Sequence, residues 1–129
     1  MKIFGNGFIA KNLKKIRLPE KFFIYAAGVS NSNIKQKKVY NREINQFKKI
    51  IKKINPRKIL IYISSLSVEN KSLQKDKYVR NKLIIEKIIK NEVPKYIIIR
   101  LPQVVGKNHN KHTLTNFIYN TFKKGKNFY

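Results

Sequence analysis

Cysteine is absent from this chain of 129 residues, which excludes a disulfide framework and thiolate chemistry. No apolar run approaches the length needed to span a bilayer, and the N-terminal stretch lacks the apolar core of a signal peptide. Both absences lead us to expect a cytoplasmic protein with no membrane span. Acidic residues are scarce, 6 Asp+Glu against 30 Lys+Arg, and the formal net charge is +24. A field of that sign draws polyanions at low salt. The excess is nearly all lysine, however, and it is spread along the chain in "KNLKKIR", "IKQKK", "FKKIIKK" and "TFKKGK" rather than gathered in one arm or helix. It travels with abundant isoleucine and asparagine, the pattern an AT-rich coding sequence leaves on tolerant surface positions. No basic helix of known type and no strand with interleaved aromatics is evident, so contact with nucleic acid is expected to be non-specific only. The length suits a single domain over 1–129 with one core, and is short for an enzyme that holds both a dinucleotide and a second substrate, which leaves a fragment of a longer protein open.

What the chain does contain is an alternation of apolar runs and amphipathic segments. "KFFIYAAG", "KILIYISS" and "KYIIIRLP" are continuously apolar, as expected of parallel strands buried on both faces. With the opening "KIF" they predict strands over 2–4, 22–27, 58–64 and 96–101. From Tyr40 the apolar positions Ile44, Phe47, Ile50, Ile51 and Ile54 recur every three or four residues until Asn55-Pro56 stops the helix. Further helices are predicted from about Asp76 to Asn91 and from about Thr113 to Lys124, where Gly125 supplies a stop. The fold class that follows is α/β, a reduced Rossmann-like fold with a mainly parallel sheet of about four strands flanked by helices. Ligands of such sheets bind beyond the carboxyl ends of the strands.

Three groups of residues fall at those carboxyl ends. After the first strand, Gly5, Gly7 and Ala10 fit the spacing Gly-x-Gly-x-x-Gly/Ala, in which one glycine makes the turn, the second admits a pyrophosphate and the third small residue lets helix and strand pack closely. An ordinary strand-to-helix turn uses glycines in the same way. The second strand ends in Ala26, Ala27 and Gly28, small enough to admit a flat ligand. The third ends in Ser64 and Ser65, and the helix after it carries Tyr78 and Lys82 four apart on one face. A lysine ammonium beside a tyrosine is expected to lower the phenol pKa towards useful acid–base work, with a serine hydroxyl to orient the substrate oxygen. Chance also places tyrosine and lysine at this spacing in any lysine-rich helix. Tyr40, on the preceding helix, is expected to lie far from the site.

Taken in order, "GNGFIAKNL", "FIYAAG", "ILIYISSLSV", "YVRNK" and "YIIIRLPQVVGK" resemble the landmarks of the extended short-chain dehydrogenase/reductases, the NAD-dependent epimerase/dehydratase family that acts on nucleotide sugars. The resemblance covers nearly the whole chain. It implies Tyr78 as the catalytic acid–base group, Lys82 as its pKa-lowering partner and ribose contact, and Ser65 as the substrate-orienting hydroxyl, with Ser64 and Ser67 as substitutes. It also implies that Gly5, Asn6, Gly7, Phe8, Ile9 and Ala10 face the pyrophosphate of NAD or NADP. Ala26, Ala27 and Gly28 would line that cofactor, and Pro102, Gln103 and Val104 would lie near the nicotinamide. A nucleotide-sugar substrate, a role in bacterial surface-polysaccharide synthesis and the option of a homodimer follow from the same likeness.

Departures from the family pattern are equally specific. Between the glycine loop and "AAG" the family inserts two further strands, the first ending in an acidic ribose ligand, whereas here only "KNLKKIRLPEKF" intervenes. Glu20 is a poor substitute beside Pro19. A right-handed crossover in so short a connection requires either that the first helix change face or that the crossover be unusual. The chain also ends at Tyr129, before the substrate-binding extension of such enzymes. His109 and His112 have helical-turn spacing but no nearby carboxylate or cysteine to complete a metal site, and Asp76 reads as a charge at a helix N-terminus. Two functions therefore compete: an NAD(P)-dependent nucleotide-sugar epimerase, dehydratase or reductase, and a catalytically silent Rossmann-like module whose basic surface holds a nucleotide, a nucleic acid or a partner subunit.

Overall fold

A computed structural model describes residues 2–29, 34–102, 104, 118 and 123. Four strands, β1 (Lys2–Phe4), β2 (Phe22–Tyr25), β3 (Ile59–Ser65) and β4 (Tyr96–Leu101), alternate with three helices, α1 (Phe8–Leu13), α2 (Lys37–Ile51) and α3 (Lys77–Glu92). The sheet is parallel throughout, in the order β1-β2-β3-β4, with Phe4 beside Tyr25, Tyr25 beside Tyr62 and Tyr62 beside Ile98. This is the reduced Rossmann-like α/β fold that the alternation predicts. Because β1 pairs directly with β2, the short connection through α1 closes a complete β–α–β unit and no strand has to be skipped. β2 ends at Tyr25, short of the expected 27, so Ala26 to Gly28 leave the sheet as a loop. Of the third predicted helix only Ile118 and Lys123 are described, both helical, and Thr113 lies outside the described residues.

Side-chain alternation along β2 and β3 sends Phe23, Tyr25, Leu60 and Tyr62 to one face, where Phe47 of α2 and Ile85 and Ile89 of α3 meet them. All are buried, and each stabilises by roughly 1.5–3 kcal/mol. Aromatic rings fill the centre: Phe47 stands edge-on to Tyr25 at 4.9 Å and to Tyr62 at 5.7 Å. The hydroxyls of Tyr25 and Tyr62 are buried there with no hydrogen-bond partner among the described residues. Burial, with a smaller contribution from the Glu43 charge, pushes both phenols well up, so they stay neutral.

The opposite face meets the expectation only in part: Ile24 of β2 is buried there, whereas β4 is more open. Ile61 and Ile63 lie beside Ile97 and Ile99, and the β4 residues are 43% and 37% exposed. Continuous apolar composition implied burial on both faces, yet among the described residues α2 and α3 cover only one. At the head of α3, the Asp76 carboxylate accepts hydrogen bonds from the Tyr78 and Val79 amides at 2.8 and 3.2 Å, which fixes where the helix starts. No helix among the described residues is long and apolar enough to cross a membrane.

Candidate functional site

Parallel pairing brings the carboxyl ends of all four strands to one edge, and a cleft of about 1200 Å³ opens there. The two glycines of its first wall serve different purposes. Gly5 has φ +139°, and a Cβ at this position would run into the Ala26 carbonyl, so the turn after β1 can close against β2 only with glycine. Gly7 precedes α1 with ordinary φ −73°, and a Cβ there would meet nothing within 4 Å. Its missing side chain leaves space in the cleft rather than relieving the backbone. Lys14 reaches back from beyond α1 and donates to the Gly5 carbonyl at 3.1 Å.

Across the cleft, β3 delivers Ser65 and the first two turns of α3 deliver Tyr78 and Lys82. The three line one cleft: Ser65 lies near enough to the Tyr78 hydroxyl to act on its ionisation, and the Lys82 ammonium lies 5.5 Å from the Tyr78 ring centroid. The expected direction of the phenol pKa is overturned. Burial of Tyr78 pushes it up, Ser65 counteracts this, and the charges of Glu43 and Asp76 push it up further, with the balance above the ordinary tyrosine value. The main reason is burial, and an acidic neighbour that the sequence reading did not weigh adds to it. Glu43 Oε1 accepts from Lys82 Nζ at 3.2 Å, and both side chains are almost wholly out of water. Lys82 is therefore paired within the protein. A signal for Glu43 did exist: it stands three residues after Tyr40 and four before Phe47, on the buried stripe of α2. A charge on an apolar stripe needs a partner, and Lys82 is it.

The neighbouring residues divide between cleft and core. Ser64 is buried and donates to Glu86 Oε1 at 2.7 Å, so this hydroxyl is committed to the core; Ser67 is hydrogen-bonded to Ser65 Oγ at 3.2 Å. Glu86 in turn is gripped by Arg100 through Nε at 3.1 Å and Nη2 at 2.7 Å, while Arg100 Nη1 meets Glu69 at 3.1 Å. Gly5, Asn6, Gly7, Phe8 and Ile9 line the cleft, as do Ala26, Ala27, Gly28, Pro102 and Val104. Ala10 does not. It is fully buried, and its small side chain serves helix packing rather than a phosphate. Gln103, His109 and His112 lie outside the described residues. Glu20 is exposed and does not line the cleft. Tyr40 is not remote from the site: its hydroxyl donates to the Ile34 carbonyl at 2.7 Å, and burial, with the charges of Asp76 and Glu43, pushes its phenol up.

No family model, curated protein or solved structure matches this chain. Among the described residues no group of three or more His, Cys, Asp and Glu could hold a metal ion. The cleft brings three features to one edge of the sheet. It offers an open backbone at Gly7, the Lys14 ammonium at the glycine turn, and a neutral phenol beside a serine hydroxyl.

Proposed function

We propose that the chain is an NAD(P)-dependent protein of the nucleotide-sugar epimerase, dehydratase or reductase type. The observation that carries this reading is the convergence of Tyr78, Ser65 and Lys82 on one cleft with the glycine turn, at the carboxyl edge of a parallel sheet. The cleft fits the pyrophosphate and nicotinamide half of a dinucleotide, since Gly7 leaves room at the turn and Ala26 to Gly28 present only small side chains. It fits the adenosine half less well, because the short connection between α1 and β2 brings no acidic residue to the ribose. When bound, the nicotinamide would supply a hydride at a substrate carbon. Ser65 orients the substrate oxygen, and the Tyr78 hydroxyl, neutral at physiological pH, donates the proton.

The competing reading, a silent Rossmann-like binding module, draws its support from the Glu43–Lys82 pair, which occupies the cation at the wall of the cleft. Two measurements separate them. Calorimetric titration with NAD+, NADP+ and NADPH should give binding that Gly7→Val weakens. Turnover of a nucleotide sugar should then fall about a hundredfold to ten-thousandfold in Tyr78→Phe, the usual contribution of a positioned acid–base group. Full turnover in that variant would exclude Tyr78 from the chemistry, and dinucleotide binding with no turnover of any nucleotide sugar would favour the module.

A further inference from the structure

The ion pair beneath Gly28 ties together three segments on which the candidate site depends. Glu43 comes from the middle of α2, Asn81 and Lys82 from the second turn of α3, and Val29 from the stretch that follows β2. Glu43 Oε2 accepts from the Val29 amide at 3.1 Å and from Asn81 Nδ2 at 2.8 Å, while Oε1 accepts from Lys82 Nζ at 3.2 Å. Gly28 makes this possible, since a Cβ there would press on the Lys82 ammonium and on Glu43 Oε1. The side chains of the pair are only 4% and 3% exposed, so water screens their attraction very little. The same ammonium stands 5.5 Å from the Tyr78 ring centre and 5.6 Å from that of Tyr62, close to the phenol yet bonded elsewhere.

A cation this near a phenol ordinarily favours the phenolate. With a carboxylate 3.2 Å from it, cation and anion act on the phenol together as a short dipole, and most of the cation's effect cancels. We propose that Glu43 is a positioning residue, which holds the Lys82 ammonium against α2 and so keeps the Tyr78 hydroxyl a proton donor. The inference rests on Tyr78 as the acid–base group and adds what sets its state. A side chain with no place in the cleft thus acts with burial to keep the site ready to give a proton rather than to take one. On donation the proton passes from the Tyr78 oxygen to a ligand oxygen, and water returns it to the phenolate. The other neighbours do not disturb this balance. Burial and the Asp76 charge act in the same direction as Glu43, and Ser65 opposes them; Tyr40 and Tyr62 are themselves neutral phenols pushed up by burial.

Nuclear magnetic resonance of the full chain, carbon-13-labelled at the tyrosine rings and with the Tyr78 signal assigned by Tyr78→Phe, follows this phenol directly and needs no turnover. In Glu43→Gln the Tyr78 signal should titrate at lower pH than in the parent, because Lys82 is then unopposed. Glu43→Asp, which keeps the charge, should leave it near the parent position. Glu43→Gln/Lys82→Met replaces the pair by neutral groups of similar size and should also titrate as the parent does. An unmoved or upward-moved signal in Glu43→Gln overturns the proposal. If the single variant does not fold, the double variant decides alone: a marked upward move there means that Lys82 acted on the phenol without cancellation. Failure of this proposal leaves the dinucleotide and turnover tests intact, and failure of those tests does not alter the titration.

Discussion

Arg100→Met tests the second buried charge in depth. Glu86 is 2% exposed and holds three side-chain hydrogen bonds, two from Arg100 and one from Ser64. Methionine keeps most of the apolar stem of Arg100 but removes the guanidinium, so the carboxylate retains only the Ser64 hydroxyl. Leaving a fully buried charge unpaired costs about 3–5 kcal/mol. Arg100 is itself 33% exposed, so water can reach part of the gap, and its contact with the 58% exposed Glu69 adds only about 0–1 kcal/mol. We therefore expect a loss of roughly 2–3 kcal/mol near neutral pH, or about 6–12 °C in Tm for a chain of this size. Removing one cation from a chain of net charge +24 relieves self-repulsion and opposes the loss, so a measured fall is not a charge-count artefact.

The pH dependence makes the mechanism refutable. Burial pushes the Glu86 carboxyl up, but the hydrogen bonds from Arg100 and Ser64 outweigh it and hold the group below 4.5. A carboxyl depressed in the folded state contributes stability that is present above its unfolded value and lost as pH falls through the folded one. In Arg100→Met burial prevails, the folded value rises, and Glu86 sheds its charge at higher pH. The Tm difference between parent and variant should therefore be largest at about pH 7 and shrink by about pH 4. Glu86→Gln/Arg100→Met should recover much of the loss. Melting curves followed by circular dichroism decide it: an equal Tm difference at both pH values would mean that lost packing, not an uncompensated charge, explains the variant.

Gly5→Ala should destabilise by at least about 1–3 kcal/mol through its left-handed backbone and the blocked Ala26 carbonyl, whereas Gly7→Ala should leave the urea midpoint nearly unchanged and weaken dinucleotide binding. The reverse order would break the assignment of the two glycines. Tyr62→Phe removes a buried hydroxyl with no partner among the described residues, so thermal stability should hold or rise, by up to about 1–3 kcal/mol; a clear loss would reveal a partner for that oxygen. Asp76→Ala should cost about 1 kcal/mol by removing the cap of α3, read in the same melts, and Asp76→Asn should restore most of it.

Local composition and spacing determined most of the architecture by themselves. Runs such as Ile59 to Ser65 can be satisfied only as sheet, and the three-to-four spacing from Tyr40 to Ile54 can bury one side only as helix, so the α/β alternation and the placing of Ser65, Tyr78 and Lys82 at one edge were legible. Ala10 was legible as the packing member of the glycine-loop spacing, and its full burial agrees with that reading, whereas the phosphate contact that the family resemblance added to it has no counterpart in the cleft lining. Burial of both sheet faces was legible in part: Ile24 is buried on the face opposite Phe23 and Tyr25, while among the described residues Ile97 and Ile99 stay partly exposed, because apolar strands state what can be buried and packing states what is. The ionisation of the site lay beyond sequence altogether. Glu43 is 39 residues from Lys82, and neither local propensity nor periodicity carries information about which buried charge another will meet. The packing of α2 against α3 brings them together out of water, and burial of the phenol, joined by that carboxylate, reverses the effect on Tyr78 that lysine spacing alone implied.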